Sequence, residues 1–450
     1  MDAFRSGFLA RLVLAVTVPG IAVTPLMAQK APSRAAASHA LNLTVVSPES
    51  EGFSTARLEN LHAIMQHVVD TKQIPGVVTI LARHGKVVDY RAYGVSDLAG
   101  GKPLQKDAIF RDFSMTKPVT GVAMMILYEE GKWLPNDPIA KYIPEFAHLR
   151  VYKGVGANGK MILAEPDHAP TMGELMSHTA GFTYGLFGDT PVDKMYRDAK
   201  VLRSQNLQEF IDKLSRIPLL YEPGHGWTYS VSMDIEGYIV QKLSGQSLPD
   251  FDRDHIFTPL GMRDAGFYVP AGKRSRFVTL YRTGANGELI ADPTGGLNVG
   301  NYDAQPTMPS GGGGMVSTAE DYYRFAQMLL NGGELNGARI LSPATVKLMT
   351  SNHLVPELLT GQYGIGLQRM RPGFGYGYNG AVVFNPAMAG LSDGKGEYLW
   401  DGAAGTWFWI DPTNDIVFVG MIQRMLGPAS PNLEYESRAA VYGALVDPAK

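Results

Sequence analysis

The stretch "GTWFWIDPTNDIVFVGMIQRM", residues 405–425, decides the fold that we expect for this chain. Two runs rich in aromatic and β-branched residues flank turn-forming residues at 412–415, a pattern typical of a β-hairpin. Near the other end of the chain, "VVTILARHGKVVDYRAYG", residues 77–94, repeats this pattern around a turn at Gly85. The sequence therefore predicts an antiparallel sheet that is built from both ends of the chain.

Helical patterns accompany the two hairpins. Apolar residues recur at helical spacing over 55–69, and "YESRAAVYGALV", residues 435–446, predicts a closing helix. The middle of the chain, about 115–300, is richer in helical patterns and loops. We therefore expect an α+β fold with helices flanking the sheet and an inserted, mainly helical region. The sheet part would comprise about residues 50–113 and 300–450, and the helical part about 114–299.

Composition narrows the possible partners. The chain has 450 residues, of which 45% are apolar and 18% charged, so it can bury a substantial core. A net charge of −3 without a long basic run gives no electrostatic footprint for nucleic acid. The absence of cysteine excludes thiol catalysis, disulfides and thiolate metal sites. A small neutral molecule is the expected partner.

The N-terminus has the pattern of an export signal. Arg5 and Arg11 precede the apolar stretch "LVLAVTVPGIAVTPLMA", residues 12–28, which suits a cleaved signal better than a membrane span. Residues 29–49, rich in alanine and serine, are expected to form a flexible leader. We therefore predict a signal peptide at 1–28, a periplasmic or secreted protein, and no stable membrane span after signal removal.

A candidate nucleophile lies in "RDFSMTKPVTGVAMMILYEEGKW", residues 111–133. Ser114 and Lys117 stand at the start of an apolar helix, and Pro118 suits its first turn. At this spacing a lysine lies near the serine hydroxyl, and the helix N-terminus faces a developing oxyanion, which is an arrangement suited to acyl transfer. A lysine acts as a base only where its pKa is lowered. From this stretch alone, a capping serine beside an exposed lysine remains an equal alternative.

Other motifs are weaker. "GLSDG", residues 390–394, matches the nucleophile elbow, but that fold places its histidine after the serine and the last histidine here is His353, so we interpret Ser392 as a loop residue. The G-x-G-x-x-G matches at 154–159 and 375–380 do not open a helix after a strand, so no dinucleotide site is expected. No metal-hydrolase signature occurs among the ten histidines.

Two further pieces favour the catalytic interpretation. "EPGHGWTYSVSMDIEGYIVQKLSG", residues 222–245, places Tyr229 in a loop ahead of an amphipathic helix. "YLWDGAAGTWFWIDP", residues 398–412, leads from Trp400 through the small residues Gly402 and Ala403 into a strand, where the backbone can approach a substrate closely.

These pieces, in this order, resemble the serine β-lactamase and penicillin-binding-protein superfamily. The class C-like branch is the most similar, and within it the family VIII carboxylesterases. The resemblance spans about residues 50–446 and rests on six blocks: "FSMTKPVTGVA", "ELMSHTAGFTYG", "EPGHGWTYSV", "IFTPLGMRDAGFYVP", "PSGGGGMVSTAEDYYRFAQMLLNGGELNG" and "WDGAAGTWFWIDP". It implies a β-lactamase-like fold.

The resemblance also implies roles for individual residues. Ser114 would be the nucleophile, and Lys117 and Tyr229 would share its deprotonation and the later proton transfer to the leaving group. The backbone N–H groups of Ser114 and Ala403 would form the oxyanion hole. We interpret His178, in the "SHTAG" block, as a structural hydrogen-bonding residue. No cofactor and no metal is implied.

Two departures from the superfamily pattern bear on the substrate. Val231 stands where a class C β-lactamase is expected to carry an asparagine, and a valine cannot hydrogen-bond a substrate amide. Trp400-Asp401-Gly402 replaces Lys-Thr-Gly, so an indole stands in place of the cation that would hold a β-lactam carboxylate. We therefore place Trp400, Gly402 and Val231 in the substrate-binding site and expect neutral apolar esters to be preferred over β-lactams.

The sequence thus predicts an exported serine carboxylesterase that works through an acyl-enzyme on small ester substrates, as a monomer or a homo-oligomer. An amidase, D-amino-acid peptidase or weak β-lactamase of the same fold is the alternative within enzymes. A non-catalytic penicillin-binding-like protein is the alternative outside them, and intact Ser114, Lys117 and Tyr229 argue against it.

Overall fold

The structure, a computed structural model, describes residues 41–292, 302–359, 364–365, 368–369, 372–427 and 430–448. The helices of these ranges are α1 Thr55–Asp70, α2 Thr116–Glu129, α3 Met172–Met176, α4 Pro191–Asp198, α5 Leu207–Leu214, α6 Ser232–Ser244, α7 Leu248–Asp252, α8 Thr258–Leu260, α9 Ala319–Leu330, α10 Pro343–Met349, α11 Pro356–Leu359, α12 Pro386–Ala389 and α13 Leu433–Ala444. The strands are β1 Gly76–Arg83, β2 Lys86–Gly94, β3 Phe110–Arg111, β4 Val151–Val155, β5 Met161–Ala164, β6 Tyr281–Thr283, β7 Leu289–Ala291, β8 Val316–Ser317, β9 Glu334–Leu335, β10 Ala338–Arg339, β11 Gly364–Ile365, β12 Gln368–Arg369, β13 Phe374–Tyr376, β14 Ala381–Val383, β15 Glu397–Asp401, β16 Trp407–Asp411 and β17 Ile416–Met421.

The main sheet joins the two ends of the chain. Within the described residues it has seven strands in the order β13-β14-β15-β16-β17-β1-β2, and neighbouring strands are antiparallel. Strand β17 pairs with β1 in a register that sets Val78 opposite Met421. Both predicted hairpins, β1–β2 and β16–β17, are therefore present, and the expected sheet built from both chain ends is confirmed.

The sheet is buried on both faces. Successive residues of a strand point to opposite faces, so Ile80 belongs to one apolar cluster and Leu81 to the other. Helix α1 packs against α13, β1 and β2, and α9 packs against β16 and β17. A sheet covered on both sides explains why its strands are nearly continuous apolar runs instead of alternating polar and apolar residues.

Helix α2 lies in the interior of the protein. Its residues from Thr116 to Met125 are all buried, and it contacts α6, α7 and α10. A helix that is apolar on all sides requires such a position. The region around it is mainly helical, as expected, although it also contains the two short hairpins β4–β5 and β6–β7.

A two-strand ladder fixes the start of α2. Strand β3 pairs with β8, so that Phe110 lies opposite Ser317 and Arg111 opposite Val316. The Asp112 N–H then donates to the Met315 carbonyl (3.0 Å). This ladder brings the glycine-rich stretch 311–314 beside the residues that lead into α2.

The structure describes only part of the two N-terminal segments that the sequence predicts. The predicted signal peptide, 1–28, and residues 29–40 of the predicted leader lie outside the described residues. Residues 41–49 differ from the expected flexible leader, because the Val46 N–H donates to the Val87 carbonyl (2.9 Å) and Leu41 and Leu43 pack against the core. The folded part therefore begins before residue 50. In the described part of the chain, no helix combines the length and apolar character that crossing a bilayer demands.

Candidate active site

Ser114 lies on a strained turn immediately before α2. It is the middle residue of a 3₁₀ turn, Phe113–Met115, and Phe113 has a φ of +47°, a left-handed conformation that is costly for a bulky residue. We expected Ser114 at the helix start as a possible cap. The structure places it two residues before the first residue of α2, and its hydroxyl caps no backbone N–H of α2. Its oxygen is free to meet other side chains.

Lys117, one turn further on, contacts the serine. Its Nζ lies 3.1 Å from Ser114 Oγ and donates to the Gly312 carbonyl at 2.6 Å. The side chain is fully buried, and no carboxylate of the described residues lies within ion-pairing distance of it. Burial lowers the pKa of Lys117 to about 7, although the more distant Asp234, Asp401 and Glu236 oppose this shift. A substantial fraction of the lysine is therefore a neutral amine at neutral pH.

Tyr229 approaches Ser114 from the loop that precedes α6. Its hydroxyl donates to Ser114 Oγ at 2.6 Å, and Lys117 Nζ lies 4.4 Å from the centre of its ring. Burial raises the pKa of the Tyr229 hydroxyl, so the phenol stays protonated across the neutral range. The structure thus brings the side chains of Ser114, Lys117 and Tyr229 together.

A buried carboxylate holds the loop to which Lys117 is anchored. Asp234 Oδ1 accepts hydrogen bonds from Ser310 Oγ (2.5 Å) and from the Gly312 N–H (3.2 Å). A Cβ on Gly312 would lie 2.8 Å from Asp234 Oδ2 and equally close to the Tyr184 hydroxyl, so any side chain at this position would displace one of these two groups. Asp234 therefore positions the carbonyl that receives the Lys117 amine.

A second buried carboxyl group, that of Glu236, is linked to α2 through Asn379. Asn379 donates through Nδ2 to Glu236 Oε2 (2.6 Å) and to the Lys117 carbonyl (3.0 Å). Burial raises the pKa of Glu236 to about 8. Sequence reasoning missed Gly312, Asp234, Glu236 and Asn379. The four glycines at 311–314 were the only available signal, and their contact with Lys117 spans nearly half of the chain.

The end of β15 reaches the backbone just before Ser114. A Cβ on Gly402 would lie 2.3 Å from the Asp112 carbonyl oxygen and 2.3 Å from Thr406 Oγ1, and Thr406 Oγ1 donates to that same carbonyl (3.1 Å). Within the described residues, neither the Ser114 nor the Ala403 N–H donates to a protein acceptor. The two N–H groups predicted to form an oxyanion hole are thus available on neighbouring pieces of backbone.

Aromatic side chains surround Tyr229. The centre of its ring lies 5.6 Å from that of Trp400, 5.2 Å from Tyr184 and 5.9 Å from Phe187. Trp400 is half-buried, which leaves part of the indole accessible beside Tyr229. The predicted substrate contact Val231 is placed differently: its side chain is fully buried in the main apolar cluster and has no surface to offer.

His178 and Ser392 lie where the sequence placed them. His178 is fully buried, its Nδ1 lies 2.9 Å from Ser230 Oγ, and its carbonyl accepts from the Thr228 N–H (3.1 Å). Burial lowers the pKa of His178 well below its usual value, so the ring is neutral and supports the loop that carries Tyr229. Ser392 is exposed in a loop.

Comparison with known proteins gives consistent relatives. A family described as Beta-lactamase matches residues 61–442. Protein Rv1367c of Mycobacterium tuberculosis is 34% identical over 395 residues, covering 86% of this chain and 94% of that protein. Esterase EstB of Burkholderia gladioli is 30% identical over 365 residues, covering 77% of this chain and 86% of that protein. The solved structure of EstCE1, a hydrolase with promiscuous acyltransferase activity, has a TM-score of 0.72 at 28% identity and covers 86% of this chain and 99% of that one.

A serine that accepts hydrogen bonds from a lysine and a tyrosine beside an antiparallel sheet has the arrangement of a serine hydrolase. The chain belongs to the Beta-lactamase family. The predicted resemblance and the β-lactamase-like α+β fold are thereby confirmed, and the protein is an enzyme, a serine hydrolase of this fold.

Proposed function

We propose that this protein is an exported serine carboxylesterase that cleaves neutral, apolar carboxylic esters through an acyl-enzyme on Ser114. The observation that carries the proposal is the pair of contacts on Ser114 Oγ, from Lys117 Nζ at 3.1 Å and Tyr229 OH at 2.6 Å. Its relatives that are named as esterases support ester hydrolysis. The protein is on this basis a carboxylic ester hydrolase.

In the acylation step, the neutral Lys117 amine accepts the Ser114 proton while Oγ bonds to the ester carbonyl carbon. The electron pair of the carbonyl moves to its oxygen, and the N–H groups of Ser114 and Ala403 stabilise this oxyanion. When the intermediate collapses, the bond to the alcohol oxygen breaks. The alcohol leaves with one proton, which Tyr229 delivers from its hydroxyl and regains from the Lys117 ammonium.

Deacylation reverses the same transfers with water in place of the alcohol. Water loses a proton to the neutral Lys117–Tyr229 pair, attacks the acyl carbon, and releases the carboxylic acid as Ser114 recovers its proton. A buried amine that exchanges protons near neutrality serves both steps, because it is neither permanently charged nor too weak a base.

The preference for neutral apolar esters rests on Trp400 and its aromatic neighbours. An indole offers apolar contact area where a lysine would have offered charge to a carboxylate. Trp400 contacts both Tyr229 and Tyr376, whose ring centres lie 5.6 and 5.3 Å from its own. Substrates without a carboxylate therefore fit this surface better than acidic β-lactams.

Export is supported by the N-terminal sequence alone, namely Arg5, Arg11 and the apolar stretch 12–28. Expression of the full chain in a bacterial host, followed by fractionation and N-terminal sequencing, tests it. A mature protein that begins near residue 29 in the periplasm or medium is expected, and an uncleaved protein in the cytoplasm would contradict it.

The catalytic assignment is tested by comparing two serines. Ser114→Ala should abolish hydrolysis of a nitrophenyl ester and labelling by a fluorescent phosphonate, because both require the activated hydroxyl. Ser392→Ala is the matched control, since this serine is exposed in a loop, and it should retain activity and labelling. Substantial activity in Ser114→Ala, with a normal melting temperature in both variants, would refute the assignment.

A further inference from the structure

A tight turn beside the candidate site presents two apolar side chains to solvent. Leu186 and Phe187 stand at the tip of the turn 185–188, and each retains 45% exposure. Large apolar residues usually avoid this degree of exposure unless they are scattered singly, and here two adjacent ones lie next to a catalytic cluster. The turn is therefore a candidate contact surface for a substrate.

The turn is rigidly held at its base. Arg197, on α4, donates through Nη1 to the carbonyls of Gly185 (2.8 Å) and Gly188 (3.0 Å), and through Nη2 to Asp189 (2.7 Å). Gly185 has a φ of +71°, and a Cβ there would lie 2.5 Å from Tyr196. One guanidinium thus spans both ends of the turn, which preorganises its tip.

The tip faces the tyrosine of the catalytic cluster. The Phe187 ring centre lies 5.9 Å from that of Tyr229 and 5.8 Å from that of Tyr184, the latter edge to face. Leu186 lies in the same turn, but its aliphatic side chain takes no part in these aromatic contacts. Phe187 is therefore the member of the pair that extends the aromatic surface around Tyr229 outward to solvent.

We propose that Phe187, held in place through Arg197, forms the apolar wall that contacts the alcohol portion of the ester. The inference rests on the proposed function, in which Tyr229 protonates the departing alcohol oxygen, so the groups around Tyr229 line the leaving-group side of the site. Phe187 determines specificity for large apolar alcohols, and Arg197 is a positioning residue that acts through the turn.

The test uses two ester series on the full mature protein, with acid release as the readout. One series keeps the acetyl group and enlarges the alcohol from methyl to hexyl, and the other keeps ethanol and lengthens the acyl chain. In Phe187→Ala, the kcat/KM ratio of hexyl to methyl acetate should fall about tenfold, the scale of one altered apolar contact in a pocket. The acyl-chain ratio should change much less. Arg197→Lys, which keeps the charge but loses the fork, should shift the alcohol ratio in the same direction by a smaller factor.

Tyr268→Ala is the matched control, because Tyr268 is an aromatic residue with 37% exposure outside this cluster, and its ratios should equal those of the wild type. A tenfold change in the acyl series instead would overturn the assignment to the alcohol side. An equal loss for every ester would show that Phe187 only supports Tyr229. In either case Ser114→Ala would still be inactive, whereas activity in that variant would refute the proposed function itself.

Discussion

At the scale of single residues, the site depends on the burial of Lys117. The amine gives up hydration and is left with one short hydrogen bond to a backbone carbonyl and one to Ser114 Oγ. A charged ammonium is disfavoured in such surroundings, and the distant carboxylates only partly restore it. The lysine can therefore gain and lose its proton near pH 7.

This balance makes the pH dependence of the enzyme predictable. In the proposed mechanism only neutral Lys117 accepts the serine proton, so kcat/KM should rise with pH through an inflection near 7, the pKa of the lysine in the free enzyme, and level off above it. Asp234→Asn keeps an acceptor for Ser310 and Gly312 but removes a negative charge that favours the ammonium. The pKa of Lys117 should therefore fall further, and the acidic limb should move to lower pH. A pH–kcat/KM profile on one nitrophenyl ester, compared between the two proteins, measures this.

The other charged or titratable groups near the lysine are unchanged in this comparison, so a shift can be assigned to Asp234; these groups are Asp401, Glu236, Tyr184, Tyr229 and His178. A limb that moves to higher pH would contradict the sign of the effect. A limb that stays in place, with activity lowered at every pH, would mean that Asp234 acts only by holding the loop.

The sequence predicted the members of this cluster but not its supports. Ser114 and Lys117 could be predicted from their spacing, because residues three apart on a helix lie on the same face. Tyr229 could be predicted from the loop-to-helix pattern at 222–245. The Gly312 carbonyl reaches Lys117, and Asp234 holds Gly312, only after α2, α6 and the loop at 311–314 have packed together. Contacts of this kind, between a side chain and a distant backbone group, produce no recognisable residue pattern in the sequence. The burial of Val231 was missed for a similar reason, because a β-branched residue before a helix fits a pocket wall and a core equally well.

At the scale of elements, the decisive contact is between the end of β15 and the turn that carries Ser114. Gly402 lies so close to the Asp112 carbonyl that a methyl group cannot be inserted without moving one of the two backbones. The Ala403 N–H belongs to the next residue along the chain. Its distance from the serine is therefore set by the absence of a side chain at position 402.

Gly402→Ala should damage catalysis more than stability. Displacement of β15 would misalign the Ala403 N–H, and the loss of one oxyanion donor costs about 10²–10³ in kcat. Steady-state kinetics on a neutral ester and a thermal melt measure the two effects. Gly443→Ala is the control, because a Cβ at this position of α13 would have no neighbouring atom within 4 Å and alanine favours a helix by about 1 kcal/mol. Equal kcat in both variants would contradict the proposed oxyanion hole.

At the scale of the whole molecule, the last helix is tied to the sheet through a buried charge. Arg438 of α13 has 1% side-chain exposure and pairs with Asp393 (3.1 Å), Glu397 (2.7 Å) and Glu434 (3.2 Å). Its guanidinium also lies 4.8 Å from the ring centre of Trp409 on β16. The segment before α1 meets the end of α13, where the Ser54 N–H donates to the Ala444 carbonyl (2.9 Å).

Arg438→Met should destabilise the protein by about 3–5 kcal/mol, because it leaves buried carboxylates without their counter-charge. Urea unfolding at pH 7 measures the loss. Arg253→Met is the control, since its pairs with Asp250 and Asp254 are exposed and worth about 0–1 kcal/mol. A loss below 1 kcal/mol for Arg438→Met would show that this cluster does not fasten α13 to the sheet.

The global architecture was more predictable than its details. Both hairpins and the helices α1 and α13 follow from residue patterns that span a whole element, which is why the sheet built from both chain ends could be expected. The ladder of β3 and β8 could not, because two-residue strands are too short to show a period. The contact of Val46 with Val87 was missed because the alanine- and serine-rich composition of residues 29–38 was extended to residues 41–49, although these contain Leu41, Leu43, Val45 and Val46.

The pairing of β1 with β17 means that one edge of β1 stays uncovered during most of synthesis. A ribosome makes the hairpin β1–β2 early, yet the strand that completes its open edge, Ile416–Met421, is made near the end. Until then the edge from Val78 to Arg83 presents unpaired N–H and carbonyl groups on an apolar strand, which is the kind of surface that joins other chains. Closing such a long-range contact is also slow. The yield of active enzyme therefore depends on how well this edge is shielded from other nascent chains while most of the protein is still being made.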